Sequence, residues 1–447
     1  MPVGWSRRAL LGAAAALGAC RGCRRPGPPN IVLVLTDDQG YNDLGCYASG
    51  EPEESRIRTP RLDALAAEGV RFTDFYVAAP TCSPSRAALL TGRYPPRCGF
   101  VEDTNLGPGD LHGLPPSELT IAEVLRDAGY ATGCIGKWHL GTADGMMPRA
   151  QGFDTFYGIP WSANQKPLPL LRDDAVVRRL GDHPILVEEF TREAIAFVTA
   201  HREQPFFLYL AHSAPHVPLS IEPEYRGRSA RGLYGDVVMR IDDCVGALLD
   251  ALDAQGLRDD TLVLFTADNG PWLQRGVRAG DPTPFRGGKG STLEGGVREP
   301  LIARWPGVIP AGSVASALCS ALDFFPTFTA MAGATLPAGL RLDGAPLQPI
   351  FQAPETATTA YDAFFYFAQG RLEAVRRDRF KLRLPVPERA QFDIRQALFD
   401  LAADPREEVD VSPAHPLVVA DLRARADQMS RALGLPSAGG AAQSPAK

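Results

Sequence analysis

The chain has 447 residues, more than one small hydrophobic core accommodates, and its 45% hydrophobic and 22% charged residues are ordinary globular composition, which excludes an intrinsically disordered chain. A formal net charge of −6 and the lack of any long Lys/Arg block argue against a nucleic-acid-binding protein, so any anion binding must be local.

In chain order, Ser6-Arg7-Arg8 precede an apolar run from Ala9 to Leu17 that is too short to span a bilayer as a helix and reads as an export signal. Leu17-Gly18-Ala19-Cys20 follows, in the manner of a bacterial lipobox, and predicts a lipid anchor on Cys20 as the sole membrane contact of a periplasmic or cell-surface protein. A plainly cleaved signal is the alternative, and the paired arginines leave twin-arginine and general export both open. Cys20 and Cys23 form a lone CxxC with no second pair or nearby histidine, so zinc is disfavoured. The remaining cysteines, Cys23, Cys46, Cys98, Cys134, Cys244 and Cys319, are scattered. They read as buried free thiols, with one or two disulfides open in an exported protein.

After a Pro/Gly-rich spacer, Ile31 to Leu35 is a continuous apolar run suited to a parallel strand buried on both faces. Thr59-Pro60 opens a helix with Leu62 and Leu65 on one face and Gly69 as its stop. Further strands are predicted at Ala131 to Ile135, Phe206 to Leu210 and Thr261 to Phe265, and Val237, Val238, Ile241, Val245, Leu248, Leu249 and Leu252 form a long helical stripe. Alternation of this kind predicts an α/β fold, with a mostly parallel sheet covered by helices. Asp37 and Asp38 end the first strand, Lys137 and His139 follow the second, His212 and His216 the third, and Asp268 and Asn269 the fourth. Ligands gather outside the carboxyl ends of such strands, so these eight residues share one functional edge.

From Leu342 to Thr359 the chain turns Pro/Ala/Thr-rich and loses periodicity, which predicts a linker or domain crossing. Short strands beyond it (364–367, 372–375, 380–384 and 397–401) and an amphipathic helix through Val418, Leu422, Met429 and Leu433 predict a small α+β unit on a short antiparallel sheet. The expected organisation is a leader and spacer at 1–25, a main domain at 26–345, the small unit at 346–435 and a disordered tail at 436–447.

Cys82-Ser83-Pro84-Ser85-Arg86 runs straight into Ala87-Ala88-Leu89-Leu90-Thr91-Gly92-Arg93. Ser83 suits an N-cap, Pro84 a first helical position and Gly92 a helix end, which places Cys82 at a helix N-terminus that favours an anion. Taken alone, Cys82 could equally be a buried thiol or an unmodified nucleophile. The Cys, Pro and Arg spacing resembles the signature of the type I, formylglycine-dependent sulfatases, nearest their arylsulfatase A-like bacterial members. The resemblance runs from about Asn30 to Leu401. It takes in Arg71-Phe72-Thr73-Asp74-Phe75-Tyr76, Gly136-Lys137-Trp138-His139-Leu140-Gly141, Gly158-Ile159-Pro160-Trp161-Ser162, Asp268-Asn269-Gly270 and the run from Gly288 to Pro300, in family order.

The resemblance implies an alkaline phosphatase-like fold and a hydrolase of sulfate esters. It implies that a formylglycine-generating enzyme oxidises Cys82 to formylglycine, and that Asp37, Asp38, Asp268, Asn269 and the modified Cys82 hold one divalent metal. Oxygen donors, three of them carboxylates, suit calcium first and magnesium second. Arg86 is implied to hold the hydrated aldehyde, and Lys137 and Lys289 the sulfate and leaving oxygen. Asp268 is implied to help activate the attacking hydroxyl, and His139 to assist the collapse that frees sulfate. His216 would contact sulfate and protonate the leaving group, with Ser162 as an extra donor. Substrate selectivity is expected from the loops 97–114 and 161–183. A phosphonate monoester or phosphodiester hydrolase of the same superfamily, or a non-catalytic lipoprotein that binds sulfated glycans, are the competing readings.

Overall fold

The computed structural model describes residues 27–50, 52–100, 106–386 and 396–436. The expected export signal, the expected lipid anchor on Cys20, Cys23 and the tail beyond residue 436 lie outside these residues. Among the described residues, Cys46, Cys82, Cys98, Cys134, Cys244 and Cys319 are free thiols, and no helix is long and apolar enough to cross a membrane.

The strand Asn30–Thr36 is buried along its whole length. Its side chains alternate between two cores: Ile31, Leu33 and Leu35 face one, and Val32 and Val34 the other. Burial on both faces is why this segment shows no polar alternation. The first core receives Leu89 and Leu90 from helix Cys82–Thr91, Leu125 from Ile121–Asp127, and Phe324 and Phe328 from Phe324–Ala332. The second receives Leu62 and Leu65 from Pro60–Ala67, Phe190 from Val187–Ala200, and Val238, Ile241 and Leu248 from Gly232–Ala254. Each such side chain contributes about 1.5–3 kcal/mol when fully buried.

The large sheet has ten strands in the order 313–315, 70–72, 301–304, 261–267, 30–36, 206–211, 131–137, 155–159, 168–172 and 175–180. From 261–267 to 155–159 the strands run parallel; 301–304 and the hairpin 168–180 add antiparallel margins. Register aligns the carboxyl ends, with Thr36 opposite Ala267 and Leu35 opposite Ala211. Asp37, Asp268 and His212 therefore leave the sheet side by side.

A second, antiparallel sheet of 364–368, 371–377, 380–383 and 397–400 carries helix Pro416–Ala432, which buries Leu422 and Ala426. This sheet packs against the main unit through Tyr94 and Phe367, with ring centroids 5.0 Å apart, and through an Arg376–Asp74 ion pair at 2.6 Å.

One local expectation gains detail and another needs correction. The segment 342–359 contains helix Gln348–Gln352, whose Ile350 and Phe351 are buried, with Phe351 edge-on to Phe72. Two large apolar side chains pin it to the core despite its lack of periodicity. The Cys82 helix is preceded by Thr81, extended at φ −145° and ψ 153°, so Thr81 and not Ser83 holds the cap position, and Pro84 is the third helical residue. Proline is tolerated there because the first-turn N–H groups have no intrahelical acceptor. Gly92 ends the helix in the left-handed conformation at φ 65°, as expected.

Candidate active site

Four strand ends and one helix N-terminus converge on Cys82. The strand Ala131–Lys137 enters through Gly136, at φ 115°, where a Cβ would lie 1.9 Å from the Ala211 carbonyl oxygen. Glycine is needed there for the chain to turn Lys137 inward. Asp38 and His139 hold positive φ values of 63° and 59°, an uncommon backbone state that concentrates at functional sites.

Ligand atoms of Asp37, Asp38, Cys82 and Asp268 all lie within 4.8 Å of one another, and all four residues are buried. The cations interleave with them. Lys137 Nζ donates to Asp37 Oδ2 at 2.6 Å and lies 3.5 Å from Ser162 Oγ. Lys289 Nζ donates to Asp38 Oδ1 at 2.6 Å and lies 3.2 Å from Cys82 Sγ. Arg86 reaches Asp268 with Nε and caps the Lys137 carbonyl with Nη1, both at 2.9 Å. Cys82 Sγ is 3.3 Å from Asp37 Oδ1, and Asn269 Nδ2 donates to Asp38 Oδ1 at 2.8 Å.

Burial raises the proton affinity of each carboxyl, and the neighbouring charges decide the outcome. For Asp37, Lys137, His216, Arg86 and Lys289 overcome burial and hold the pKa well below the usual range. For Asp268, burial and Asp37 prevail over Arg86 and push it up to about 6. Burial, with Asp37 beside it, also pushes the Cys82 thiol up. Burial brings His216 down to about 4, and burial with Lys137 and Arg86 holds His139 low, so both imidazoles are neutral at pH 7.

Each histidine has its tautomer set by a carbonyl, which can only accept. His139 Nε2 donates to Leu106 O at 3.0 Å and its Nδ1 is buried without a partner; His216 Nδ1 donates to Val217 O at 2.5 Å and its Nε2 faces Asp38 Oδ2 at 3.5 Å. His212, expected at the same edge, is buried with neither ring nitrogen hydrogen-bonded and makes no ion pair among the described residues. The structure thus brings together Asp37, Asp38, Cys82, Arg86, Lys137, Ser162, His216, Asp268, Asn269 and Lys289. His139 bonds to the Leu106 carbonyl and lies within electrostatic reach of Lys137 and Arg86, whose charges help to lower its pKa.

Sequence reasoning missed Trp272, whose ring lies 5.5 Å from that of His216 and 5.0 Å from Lys289 Nζ. Its signal was position alone, three residues after Asn269.

A hard cation fits this centre. Asp38 Oδ2 and Asn269 Oδ1 are buried oxygens with no hydrogen-bond partner, and Asp38 lies in one cluster with the carboxylates of Asp37 and Asp268.

Fold and site together define an enzyme of the alkaline phosphatase-like superfamily, with an anion-handling centre at the carboxyl edge of its sheet. The family profile for sulfatases matches residues 29–334, and that for the C-terminal part of N-sulphoglucosamine sulphohydrolase matches residues 289–432. Arylsulfatase A of Homo sapiens is 42% identical over 85% of this chain and 78% of its own. N-acetylgalactosamine-6-sulfatase of Mus musculus is 41% identical over 80% and 72%. The solved structure of PsFucS1 sulfatase from Pseudoalteromonas sp. superposes with a TM-score of 0.80 at 29% identity, covering 91% of this chain and 90% of that one. The chain belongs to the sulfatase family, and with it to the sulfuric ester hydrolases.

Proposed function

We propose that the protein hydrolyses sulfate esters of aryl or carbohydrate alcohols at Cys82 after its oxidation to formylglycine, with one divalent cation, calcium before magnesium, held by Asp37, Asp38, Asp268 and Asn269. The observation that carries this reading is the position of Cys82: first residue of its helix, 3.2 Å from Lys289 Nζ and 3.3 Å from Asp37 Oδ1, inside a carboxylate cluster with two orphaned oxygens.

A dication held by Asp37, Asp38, Asp268 and Asn269 would supply Lewis-acid charge to stabilise the negative charge that develops in the reaction. Formylglycine supplies, as its hydrate, one hydroxyl to attack sulfur and a second whose collapse expels sulfate. The protein's own residues do the rest. Lys137 and Lys289 hold the sulfuryl and leaving oxygens as charge grows there, and Ser162 adds a donor. Arg86 fixes Asp268, and Asp268 takes up the proton of the attacking hydroxyl. His139 keeps a lone pair on Nδ1, as a base for the second hydroxyl requires. His216 donates from Nε2 only as an imidazolium, and an arriving sulfate favours that charged form beside the leaving oxygen.

Peptide mass spectrometry of protein expressed with a formylglycine-generating enzyme should show the aldehyde at position 82, and Cys82→Ala should abolish sulfate release from 4-nitrophenyl sulfate without unfolding the chain. Full activity from protein bearing an intact thiol would overturn the reading. The export signal and the Cys20 anchor remain part of the proposal, which places the enzyme outside a bacterial cytoplasm.

A further inference from the structure

One pair of side chains at the mouth of the site has no part in the chemistry above. Trp272 is half-buried, with its indole beside His216 and Lys289, and the Arg275 guanidinium stacks over that indole at 3.7 Å. The site opens on this side, since the Lys289 side chain is 15% exposed and that of Lys137 is sealed. The other cations of the centre are matched: Lys137 by Asp37, Lys289 by Asp38 and Arg86 by Asp268. Arg275 makes no ion pair among the described residues, and its Nε is buried without a hydrogen-bond partner. An arginine already held against an indole has little rotamer freedom left to lose, and its planar fork of donors matches a carboxylate or a sulfate.

We propose that Trp272 and Arg275 form a second anion subsite, and that the preferred substrates carry a further carboxylate or sulfate close to the scissile sulfate. This rests on the sulfate-ester reading above and names its substrate class: acidic, ring-based sulfated glycans in preference to neutral sulfate esters. Lys289 holds the scissile sulfate and Arg275 the second anion, with the Trp272 indole between the two cations fixing where Arg275 sits. Both cations flank the same indole, so one substrate can meet them together. Selectivity then arises from the segment after Asn269, which the sequence reading did not include among the selectivity loops.

The test compares mature wild-type enzyme with Arg275→Gln, Arg275→Lys and Trp272→Leu on four probes. These are 4-nitrophenyl sulfate, a neutral monosulfated hexosamine, a monosulfated disaccharide with a uronate, and a disulfated disaccharide without one. Wild type should favour the acidic probes. In Arg275→Gln the ratio of kcat/KM for acidic over neutral probes should fall about tenfold or more, chiefly through KM, and Arg275→Lys should restore part of it. A fall confined to the uronate probe identifies a carboxylate as the second anion, and one confined to the disulfated probe identifies a sulfate; either supports the subsite. An unchanged ratio in Arg275→Gln overturns it while leaving the sulfatase reading intact. Release of sulfate from none of the four probes by wild type would instead overturn the sulfatase reading, and the subsite with it.

Discussion

Arg86 places two nitrogens on a single oxygen of Asp268: Nε at 2.9 Å and Nη2 at 2.7 Å from Oδ2, with both side chains sealed from solvent. The other oxygen of Asp268 accepts the backbone N–H of Asp38 at 3.3 Å. The pair therefore links the Cys82 helix to two strand ends and sets the geometry of the carboxylate cluster.

Removing one partner of such a pair leaves a buried charge uncompensated, which typically costs about 3–5 kcal/mol. Arg86→Met should destabilise the protein by an amount of that order, limited by the ability of Asp268 to take up a proton. Arg86→Lys retains the charge but not the fork of donors, and should fall between. Urea unfolding at neutral pH measures both; a wild-type midpoint for Arg86→Met would show that the pair contributes nothing to stability.

The proposed cation predicts coupled losses. Asp38→Ala or Asp268→Ala removes an oxygen donor and leaves the remaining carboxylates repelling one another around an under-coordinated ion. Calcium affinity by titration calorimetry and sulfate release should fall together in each variant, and chelation of the wild type should reproduce the loss. Full activity in rigorously metal-free protein would sink the metal hypothesis.

Part of the centre was legible because predicted strands end in polar groups: Asp37-Asp38, Lys137 and Asp268-Asn269 emerge from runs whose apolar character marks burial on both faces. Cys82, Arg86, Ser162 and Lys289 were instead placed by the family motifs, and the same strand-end rule also nominated His212, which has no hydrogen-bond partner. The central strands were legible for the same reason. The margins of the sheet were not, since 70–72, 301–304 and 313–315 are three or four residues each and pair only through tertiary contacts. Trp272 and Arg275 escaped notice because their meaning depends on the short helix Leu273–Arg278 and on the ring contact of Trp272 with His216, and no periodicity records a stacking contact. Helix Gln348–Gln352 was hidden by its Pro- and Ala-rich flanks, although Ile350 and Phe351 seat it in the core.

His212 predicts an acid limb in stability. Burial lowers its pKa from 6.5 to about 4, and neither ring nitrogen has a hydrogen-bond partner. Between these values the unfolded chain binds a proton at this site and the folded chain does not, so unfolding gains on acidification. Stability should be unaffected by this residue above pH 6.5 and should decline as pH falls toward 4, with a total effect of about 3 kcal/mol. His212→Asn should flatten that part of the stability–pH curve measured by urea unfolding. An identical acid limb in the variant would assign it to other groups.

Lys381, on the small sheet, predicts that the C-terminal region supports the position of Lys289. Its ammonium is fully buried and donates to Thr292 O at 2.7 Å and Glu294 Oε1 at 2.9 Å, and it pairs with Glu407 Oε1 at 3.0 Å. Thr292 Oγ1 donates to Glu373 Oε2 at 2.8 Å, and Glu407 Oε2 accepts the N–H of Glu294 at 2.7 Å. Burial raises the proton affinity of Glu294, but Lys381, Arg298 and Arg376 bring its pKa down to about 2; in Glu407 burial prevails and the pKa is raised. One cation thus clamps the segment three residues beyond Lys289 to the antiparallel sheet. Lys381→Met should cost about 3–5 kcal/mol by stranding the carboxylates and the Thr292 carbonyl. At temperatures where the variant is still fully folded, displacement of Lys289 by a fraction of an ångström to an ångström should also lower kcat by about 10–100-fold, with KM less affected. Lys381→Arg, which keeps the charge, should recover part of kcat. A folded Lys381→Met with wild-type kcat would show that the small sheet stabilises the protein without positioning Lys289.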